Sequence, residues 1–198
     1  MTSYAEAIAP VPAGRANRPL QDLTDEQLVV RIKQNDEQAF ACLLRRHVNS
    51  IHTYLLRLTG SRADSDDLTQ ETFLRVWQKA HTFKPGKVRF STWLHQIGHN
   101  LAIDLFRRRG PTFTQTAGAD AQQPGPDADH AAAVQRTRVH QALTALPENQ
   151  RHAILLCHQQ GFSNKEAAAI LGVGVRALES LLARARRTLK AELNEVRT

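Results

Sequence analysis

A chain of 198 residues is long enough for one domain or two small ones, and 41% hydrophobic with 6% aromatic residues is typical of a protein with a modest aliphatic core. The net charge of +7 and the pI near 10 favour a polyanionic partner, with nucleic acid as the first candidate. No apolar run approaches the length of a membrane span, and Pro10 and Pro12 interrupt the only apolar stretch near the N-terminus, so we expect a cytoplasmic protein without a signal peptide or membrane insertion.

The two cysteines, Cys42 and Cys157, lie within amphipathic helical patterns. Two isolated thiols do not make a disulfide framework, so they indicate a reducing compartment. We therefore expect small buried core thiols rather than a redox pair.

The N-terminal segment, residues 1–20, shows no sustained helical periodicity and contains Pro10, Pro12, Gly14 and Pro19. Prolines and glycine at this density interrupt regular structure, so we predict a disordered arm. The first regular element is expected only beyond it.

Two helical patterns follow the arm. The first begins at Asp22 or Thr24, either of which can cap a helix with acidic residues in its first turn. The second starts at Asp36 and ends at Gly60, a typical C-terminal stop. Its packing face is expected to consist of Phe40, Leu43 or Leu44, Ile51, Leu55 and Leu58.

A third helical pattern begins at Asp64 or Ser65 and divides its residues between two sides. The packing side is expected to contain Thr69, Phe73, Val76, Trp77 and Ala80. The other faces carry Asp67, Gln70, Glu71, Leu74 and Gln78. One side of this helix therefore packs, and the other is free to meet a partner.

The loop and fourth helical pattern, residues 84–109, carry six lysines and arginines against one acid, Asp104. The predicted buried stripe consists of Leu94, Ile97, Leu101 and Leu105. Away from that stripe lie Gln96, Asn100, Ile103, Asp104 and Arg107. Because Phe83, Phe90 and Trp93 accompany the basic loop, we predict that this stretch binds nucleic acid through phosphate contacts and stacked bases.

The four helical patterns between Asp22 and Arg109 predict one compact all-helical domain over residues 21–109. Residues 110–127 are rich in Gly, Pro, Gln and Thr and nearly lack aliphatic side chains, so we predict a flexible linker. A long surface loop in a single domain is the less favoured alternative, because loops of that length are uncommon. The linker would allow a second domain, residues 128–198, to sit on another part of one extended target.

The second domain is also predicted to be helical, which makes the fold class all-α. A helical pattern resumes near Asp129, and Pro147 starts a helix that ends at Gly161. The remaining residues have the pattern of a short helix, a glycine-containing turn and a longer basic helix. This order is typical of a helix-turn-helix.

The short helix of this motif is capped by Ser163 or Asn164, and Glu166 is placed to form a capping box with Ser163. The turn at residues 172–174 leads into the longer helix, which starts near Val175. The packing face of that helix is expected to contain Leu178, Leu181 or Leu182, Ala185 and Leu189.

An enzymatic alternative arises from His95 and His99, which have the one-turn spacing of a zinc-metalloprotease helix. Gln96 stands where such an enzyme needs a glutamate as general base, and no third ligand is indicated downstream. A glycine-rich phosphate loop and a nucleophile elbow are also missing from the sequence. We therefore expect solvent-facing or DNA-facing histidines, and no metal, cofactor or catalytic residue.

Two stretches of the chain resemble one known family. The residues DLTQETFLRVWQ from Asp67 and FSTWL from Phe90, followed by Asn100, Asp104 and Arg107-Arg108, are similar to the second conserved region of extracytoplasmic-function (ECF) sigma factors of bacterial RNA polymerase. The resemblance implies that the acidic helix docks on a coiled coil of the polymerase clamp. It also implies that the basic loop and fourth helix open the −10 element of the promoter.

The second stretch, LPENQRHAILLCHQQGFSNKEAAAILGVGVRALESLLARARRTL, resembles the fourth conserved region of the same family. This implies recognition of the double-stranded −35 element by the helix that starts near Val175. The chain departs from the common family pattern at Ala177, Glu179 and Leu182, where Thr, a basic residue and Arg are frequent. No −35 base sequence can therefore be carried over, although the apolar register is kept.

The family resemblance, added to the charge and exposure expected from the helical patterns, implies three contact sets, and the polymerase-binding set rests on the resemblance alone. The polymerase-binding set consists of Asp67, Gln70, Glu71 and Leu74. The −10 set consists of Lys84, Lys87, Arg89, Trp93, Asn100, Asp104, Arg107 and Arg108. The −35 set consists of Ser163, Lys165, Val175, Arg176, Glu179, Ser180, Ala183, Arg184 and Arg187.

The implied partners are core RNA polymerase, promoter DNA and an anti-sigma factor that masks the faces binding the other two. The main alternative is a stand-alone helix-turn-helix regulator, in which residues 22–109 sense a signal or dimerise and the operator is palindromic. A metal-dependent hydrolase is a distant third.

Overall fold

The structure, a computed structural model, describes residues 19–110, 138, 139 and 141–195. Every regular element in these residues is helical, which confirms the all-α fold class. The helices are α1 (Asp25–Ile32), α2 (Glu37–Thr59), α3 (Arg62–Lys79), α4 (Phe90–Arg109), α5 (Glu148–Ile154), α6 (Asn164–Leu171) and α7 (Val175–Glu195). Short 3-10 turns cover Leu20–Asp22 and Ala80–Thr82, and residues 141–145 are also helical. The predicted arm up to residue 18, the predicted linker beyond Gly110 and the start of the pattern near Asp129 lie outside the described residues.

The ends of α1 and α2 follow the local sequence closely. Thr24 caps α1 through a capping box with Gln27. The Asp36 side chain caps α2 by accepting a hydrogen bond from the backbone N–H of Ala39 at 2.9 Å. Gly60 ends α2 with a φ of 68°, which is a conformation that glycine adopts without a steric penalty. The predicted cap at Asp36 and stop at Gly60 are confirmed.

The start of α3 differs from the prediction. Its N-cap is Ser61, three residues before the predicted Asp64, and the Ser61 hydroxyl accepts from the Asp64 N–H. The Asp64 carboxylate instead receives two hydrogen bonds from Arg109 at 2.6 and 2.7 Å, which raise the pKa of that arginine. This bidentate ion pair joins the last residue of α4 to the first turn of α3.

The first domain is formed by α1 to α4 around one aliphatic and aromatic core. The packing sides predicted for α2 and α3 are largely correct, since Leu43, Ile51 and Leu55 are fully buried and Phe73 is nearly so. Side chains of α2 and α3 pack tightly against Gly98 on α4. A Cβ added there would lie 3.0 Å from Ile51 Cδ1 and 3.3 Å from Thr72 Oγ1, so this position admits no larger side chain without displacement.

Replacing Gly98 with valine is expected to lower the free energy of unfolding by about 1–3 kcal/mol, because the added methyl groups over-pack the crossing of α2, α3 and α4. Gly98→Ala should cost less, since the higher helix propensity of alanine offsets about 1 kcal/mol of the crowding. Urea denaturation measures the free energy of unfolding of both variants. Ala63→Val, at an exposed position of α3, is the control for the propensity of valine. A Gly98→Val protein as stable as the parent would contradict the close approach.

The second domain contains the helix-turn-helix. After α5 the chain makes one π-helical turn, Leu155–Gln159, and reaches Gly161 with a φ of 71°. Ser163 and Glu166 then form the predicted capping box at the start of α6. In α7 the buried positions are Leu178, Leu182 and Ala185, as the helical period predicts.

The two domains lie against each other, and this was not predicted. Helix α6 packs along α4, and the turn after α5 touches α2. The Ser50 hydroxyl of α2 hydrogen-bonds to Gln160 Oε1 at 2.7 Å, and the buried residues of both domains form one continuous apolar cluster. We call this mutual packing the closed arrangement. Within the described part of the chain, no helix is long and apolar enough to cross a membrane.

Candidate nucleic-acid and polymerase interface

The predicted polymerase-binding residues lie together on the free side of α3. Asp67, Gln70 and Leu74 are exposed, and Glu71 is half-exposed beside them. The Glu71 carboxylate accepts a hydrogen bond from Arg75 at 2.8 Å. Leu74 is 50% exposed between these polar side chains. The four side chains therefore form one mixed acidic, amide and apolar surface on the free side of α3.

The basic loop before α4 lies on the surface. Lys84 and Lys87 are exposed, and Arg89, the residue before α4, keeps 74% of its side chain accessible. These cations precede the N-terminus of α4, where the helix dipole adds positive potential, although the Phe90 N–H already donates to Glu26 Oε1 at 3.3 Å. The loop is therefore an anion-attracting surface.

The aromatic residues beside the loop correct the prediction of base stacking. Phe83 and Phe90 are buried, at 2% and 0% exposure, because they pack edge to face with each other at 6.0 Å between ring centroids. Trp93 is half-buried against both rings, at 5.2 and 6.0 Å. Phe83 and Phe90 are thus core residues that support the loop, and Trp93 alone of the three keeps an accessible surface.

Further along α4 the polar side chains predicted to meet DNA lie outward. Asn100, Arg107 and Arg108 are exposed and Asp104 is half-exposed. Asp104 accepts a hydrogen bond from Arg107 at 2.9 Å, and its carbonyl accepts one from Arg108 Nε at 3.2 Å. The pairing fixes two cationic side chains at the end of the helix.

The predicted −35 residues on α7 share one exposed face, opposite the buried Leu178, Leu182 and Ala185. Ser180 donates to the Arg176 carbonyl at 3.0 Å, and Arg184 Nε donates to the Ser180 carbonyl at 3.3 Å. The exposed residues of this face are Val175, Arg176, Glu179, Ser180, Ala183, Arg184 and Arg187. A basic face along the second helix of a helix-turn-helix has the geometry needed to enter a major groove.

Helix α6 contributes two further predicted residues, Ser163 and Lys165, both exposed. Ser163 caps the helix and donates to Glu166 Oε2 at 2.7 Å. This hydrogen bond, more than any other cause, lowers the pKa of the Glu166 carboxyl. Glu166 is therefore charged at the domain contact.

Glu166 makes contacts with the first domain that the sequence did not predict. Its Oε1 lies 3.6 Å from Arg89 and accepts from the Thr92 hydroxyl at 3.4 Å, so a carboxylate of the second domain faces a predicted −10 residue of the first. Gln96 Nε2 donates to the Ala169 carbonyl at 3.4 Å. Part of the polar face of α4 is thus covered by α6 in the closed arrangement.

The histidines also differ from the expectation. His95 and His99 are 2% and 5% exposed and face the domain contact, not solvent or DNA. Among the described residues no group of three or more His, Cys, Asp or Glu side chains is arranged to hold a metal. The buried positions of both histidines instead belong to the packing between α4, α2 and α5.

Two family models match the chain, one in each domain. The model described as Sigma-70 region 2 matches residues 43–112, and the one described as Sigma-70, region 4 matches residues 136–189. The first covers most of α2, α3 and α4 with their loop, and the second covers α5, α6 and most of α7. They correspond to the two resemblances found in the sequence.

Several sigma factors are similar to this chain. NccH of Alcaligenes xylosoxydans xylosoxydans is 34% identical over 176 residues, which cover 85% of this chain and 94% of NccH. CnrH of Cupriavidus metallidurans is 33% identical, with 86% of this chain and 94% of CnrH covered. The ECF sigma factor SigE of Mycolicibacterium smegmatis is 35% identical over 75% of this chain, and the match spans 59% of SigE.

Solved structures of sigma factors share the fold. CnrH in complex with the cytosolic domain of CnrY has a TM-score of 0.67 and 30% identity, with 86% of this chain and 97% of that chain covered. The sigma factor RpoE in complex with the anti-sigma factor NepR from Bartonella quintana has a TM-score of 0.63 and 26% identity, with 76% and 94% covered.

The helical fold, its charged faces and the comparisons together define the class of protein. The chain is a two-domain helical sigma factor with regions 2 and 4. The ECF RNA polymerase sigma factor SigM of Mycobacterium tuberculosis is 34% identical, with 88% of this chain and 87% of SigM covered. The chain therefore belongs to the ECF family of RNA polymerase sigma factors.

Proposed function

We propose that this chain binds core RNA polymerase and directs it to specific promoters, catalysing no chemistry itself and acting in the cytoplasm. The observation that carries the proposal is the presence of both sigma regions in one chain, each with an outward charged face. Residues 21–109 would act as region 2 and residues 128–198 as region 4.

Region 2 is assigned two contacts. The exposed side of α3, with Asp67, Gln70, Glu71 and Leu74, binds the polymerase clamp. The basic loop and outward side of α4 capture unstacked non-template bases of the −10 element by phosphate contacts and by stacking on Trp93. The proposed −10 contact set consists of Lys84, Lys87, Arg89, Trp93, Asn100, Asp104, Arg107 and Arg108.

Region 4 is assigned the −35 duplex. Arg176, Glu179 and Ser180 lie on the early turns of α7, where a recognition helix meets base edges. Arg187 lies three turns along the same face and suits a phosphate contact. The Glu179 carboxylate can accept a hydrogen bond from the N4 amino group of a cytosine. It cannot pair with the major-groove edge of a guanine, which presents only acceptors there.

Binding both elements requires the closed arrangement to open. Elements centred near −10 and −35 lie about 25 base pairs apart, which is about 85 Å of B-form duplex. Domains whose helices α4 and α6 are in direct contact do not reach both. We infer that polymerase and promoter bind an open form in which α6 has left α4.

An anti-sigma partner is also proposed. The structures of CnrH with CnrY and of RpoE with NepR both contain a sigma factor of this fold with a second protein. By similarity, a partner of this kind would bind the closed arrangement and keep the contact faces of both domains from polymerase and DNA.

Size-exclusion chromatography with bacterial core polymerase tests the function. The full chain should co-elute with core polymerase, and the complex should bind duplex promoter DNA more tightly than the free chain does. If the chain does not co-elute and by itself retards palindromic duplex DNA, the stand-alone regulator takes the place of the sigma factor.

A further inference from the structure

Three buried histidines from both domains meet at the domain contact. His95 and His99 lie on α4, and His152 lies on α5, with exposures of 2%, 5% and 1%. The rings of His99 and His152 cross at 83° with centroids 5.2 Å apart, and the His95 ring lies 4.8 Å from that of Phe162. We call these three residues the interdomain histidine cluster.

The hydrogen bonds of the cluster suit neutral imidazoles. Burial raises the pKa of Tyr54, so its hydroxyl keeps its proton and can donate to His99 Nδ1 at 2.9 Å. His95 Nδ1 lies 2.9 Å from the carbonyl of Ser91, to which it donates. His95 Nε2 and His152 Nε2 are buried without a hydrogen-bond partner. A proton added to His152 Nε2 would therefore have no acceptor within hydrogen-bond distance. A proton on His95 would be stabilised by the Gln160 side chain, but this favourable effect on the pKa of His95 is smaller than the opposing effect of burial.

Most charged groups around the cluster disfavour protonation of its histidines. His47 of α2 is near His95, and its own Nε2 contacts Asp25 at 2.6 Å. Arg151 of α5 adds a cation beside His152. The one nearby acid on α5 is Glu148, with Oε1 3.8 Å from His152 Nε2 and a side chain 39% exposed.

On α6 the facing acid, Glu166, is bonded to Arg89, Thr92 and Ser163, so it does not supply a counter-ion to the histidines. Burial lowers the pKa of both His95 and His99 to about 4. The pKa of His152 is also well below its usual range, first because of burial and then because of His99 and Arg151. The attraction of Glu148 is weaker than these effects because that carboxylate is partly hydrated.

We propose that the interdomain histidine cluster makes the closed arrangement acid-sensitive, so that protonation of the cluster separates the second domain from the first. In the open form the histidines meet water and titrate near pH 6.5. The open form therefore binds more protons between about pH 6.5 and pH 4, and the closed form loses stability as the pH falls through that window. When the pH falls from 7.5 to 5, each histidine that becomes exposed to water on opening shifts the closed–open equilibrium constant toward the open form by about thirtyfold.

Small-angle X-ray scattering of the full chain at pH 7.5 and pH 5 tests this, alongside far-UV circular dichroism. The radius of gyration is expected to rise at pH 5 while the helical signal stays constant. The measurement uses the chain alone, so its outcome does not depend on the sigma function. Expansion accompanied by loss of helix, or no expansion at all, would overturn the proposal.

Variants separate the cluster from other titrating groups. His152→Phe keeps a ring against His99 but cannot be protonated, and His95→Gln removes the other unpartnered nitrogen. Each should reduce the acid-induced shift of the closed–open equilibrium by about thirtyfold at pH 5. The control His81→Gln changes an exposed histidine outside the contact and should respond as the parent does. Unchanged responses in both cluster variants would show that other groups cause the opening.

Discussion

Replacing Arg176 and Arg184 together by alanine is expected to lower promoter-specific initiation about a hundredfold, with no loss of polymerase binding. Both side chains are exposed on the α7 face that would enter the major groove. Each lost contact to a base edge costs about 1–3 kcal/mol, so two contacts near the lower end of this range, at about 1.4 kcal/mol each, give about two orders of magnitude. Initiation from a fixed promoter, measured at one salt concentration, gives the ratio.

The matched control for charge is Arg45→Ala, which removes an exposed arginine from α2. It should change initiation less than twofold to threefold, since it only reduces the non-specific attraction to DNA. Equal losses in Arg45→Ala and Arg176→Ala would mean that α7 contributes net charge and no −35 recognition.

Replacing Leu74 with serine is expected to weaken binding to core polymerase by up to about tenfold while leaving the fold intact. Leu74 is 50% exposed in the free chain, so its truncation removes little core packing. Full burial of a leucine side chain contributes about 1.5–3 kcal/mol, and about half of that remains to be gained by the half-exposed Leu74 when polymerase covers it. Fluorescence titration of labelled protein with core polymerase measures the loss.

Val30→Ser is the matched control for this change. Val30 is 46% exposed on α1, also projects from a helix of the first domain, and belongs to no predicted contact set. Its substitution should leave the polymerase affinity within about twofold of the parent. The docking assignment is wrong if Val30→Ser weakens binding as much as Leu74→Ser does.

Local rules predicted most helices and their ends from the sequence. The caps at Asp36 and Ser163 and the stop at Gly60 are set by residues within one turn, so side-chain chemistry and glycine conformation were sufficient. The start of α3 was misplaced because Ser61, Asp64 and Ser65 are all good caps. The choice among them depends on Arg109, which is distant in sequence and binds Asp64.

Burial near the candidate site was harder to predict. Phe83 and Phe90 flank the basic loop on its two sides, and a sequence of this kind predicts a stacking surface as readily as a core. Packing against each other and against Trp93 decides between the two, and periodicity does not contain this information. His95 and His99 are buried for the same kind of reason, because α2 and α5 cover the side of α4 that carries them.

The domain contact could not be predicted at all from the sequence. The predicted linker composition indicates two separable units, and nothing in a helical period specifies which outer face of α4 receives α6. The contacts that decide it are few and distant in sequence, such as Ser50 to Gln160 and Thr92 to Glu166. The contact sets themselves remain predictions, drawn from exposure and from the family resemblance.

Run-off transcription from a panel of genomic promoters, with bacterial core polymerase and with or without this chain, tests the central claim most directly. We expect specific transcripts only when the chain is present, and their start sites give the −10 and −35 sequences. Core polymerase that starts at the same sites, with the same yields, in the presence and absence of the chain would contradict the claim that this protein selects promoters.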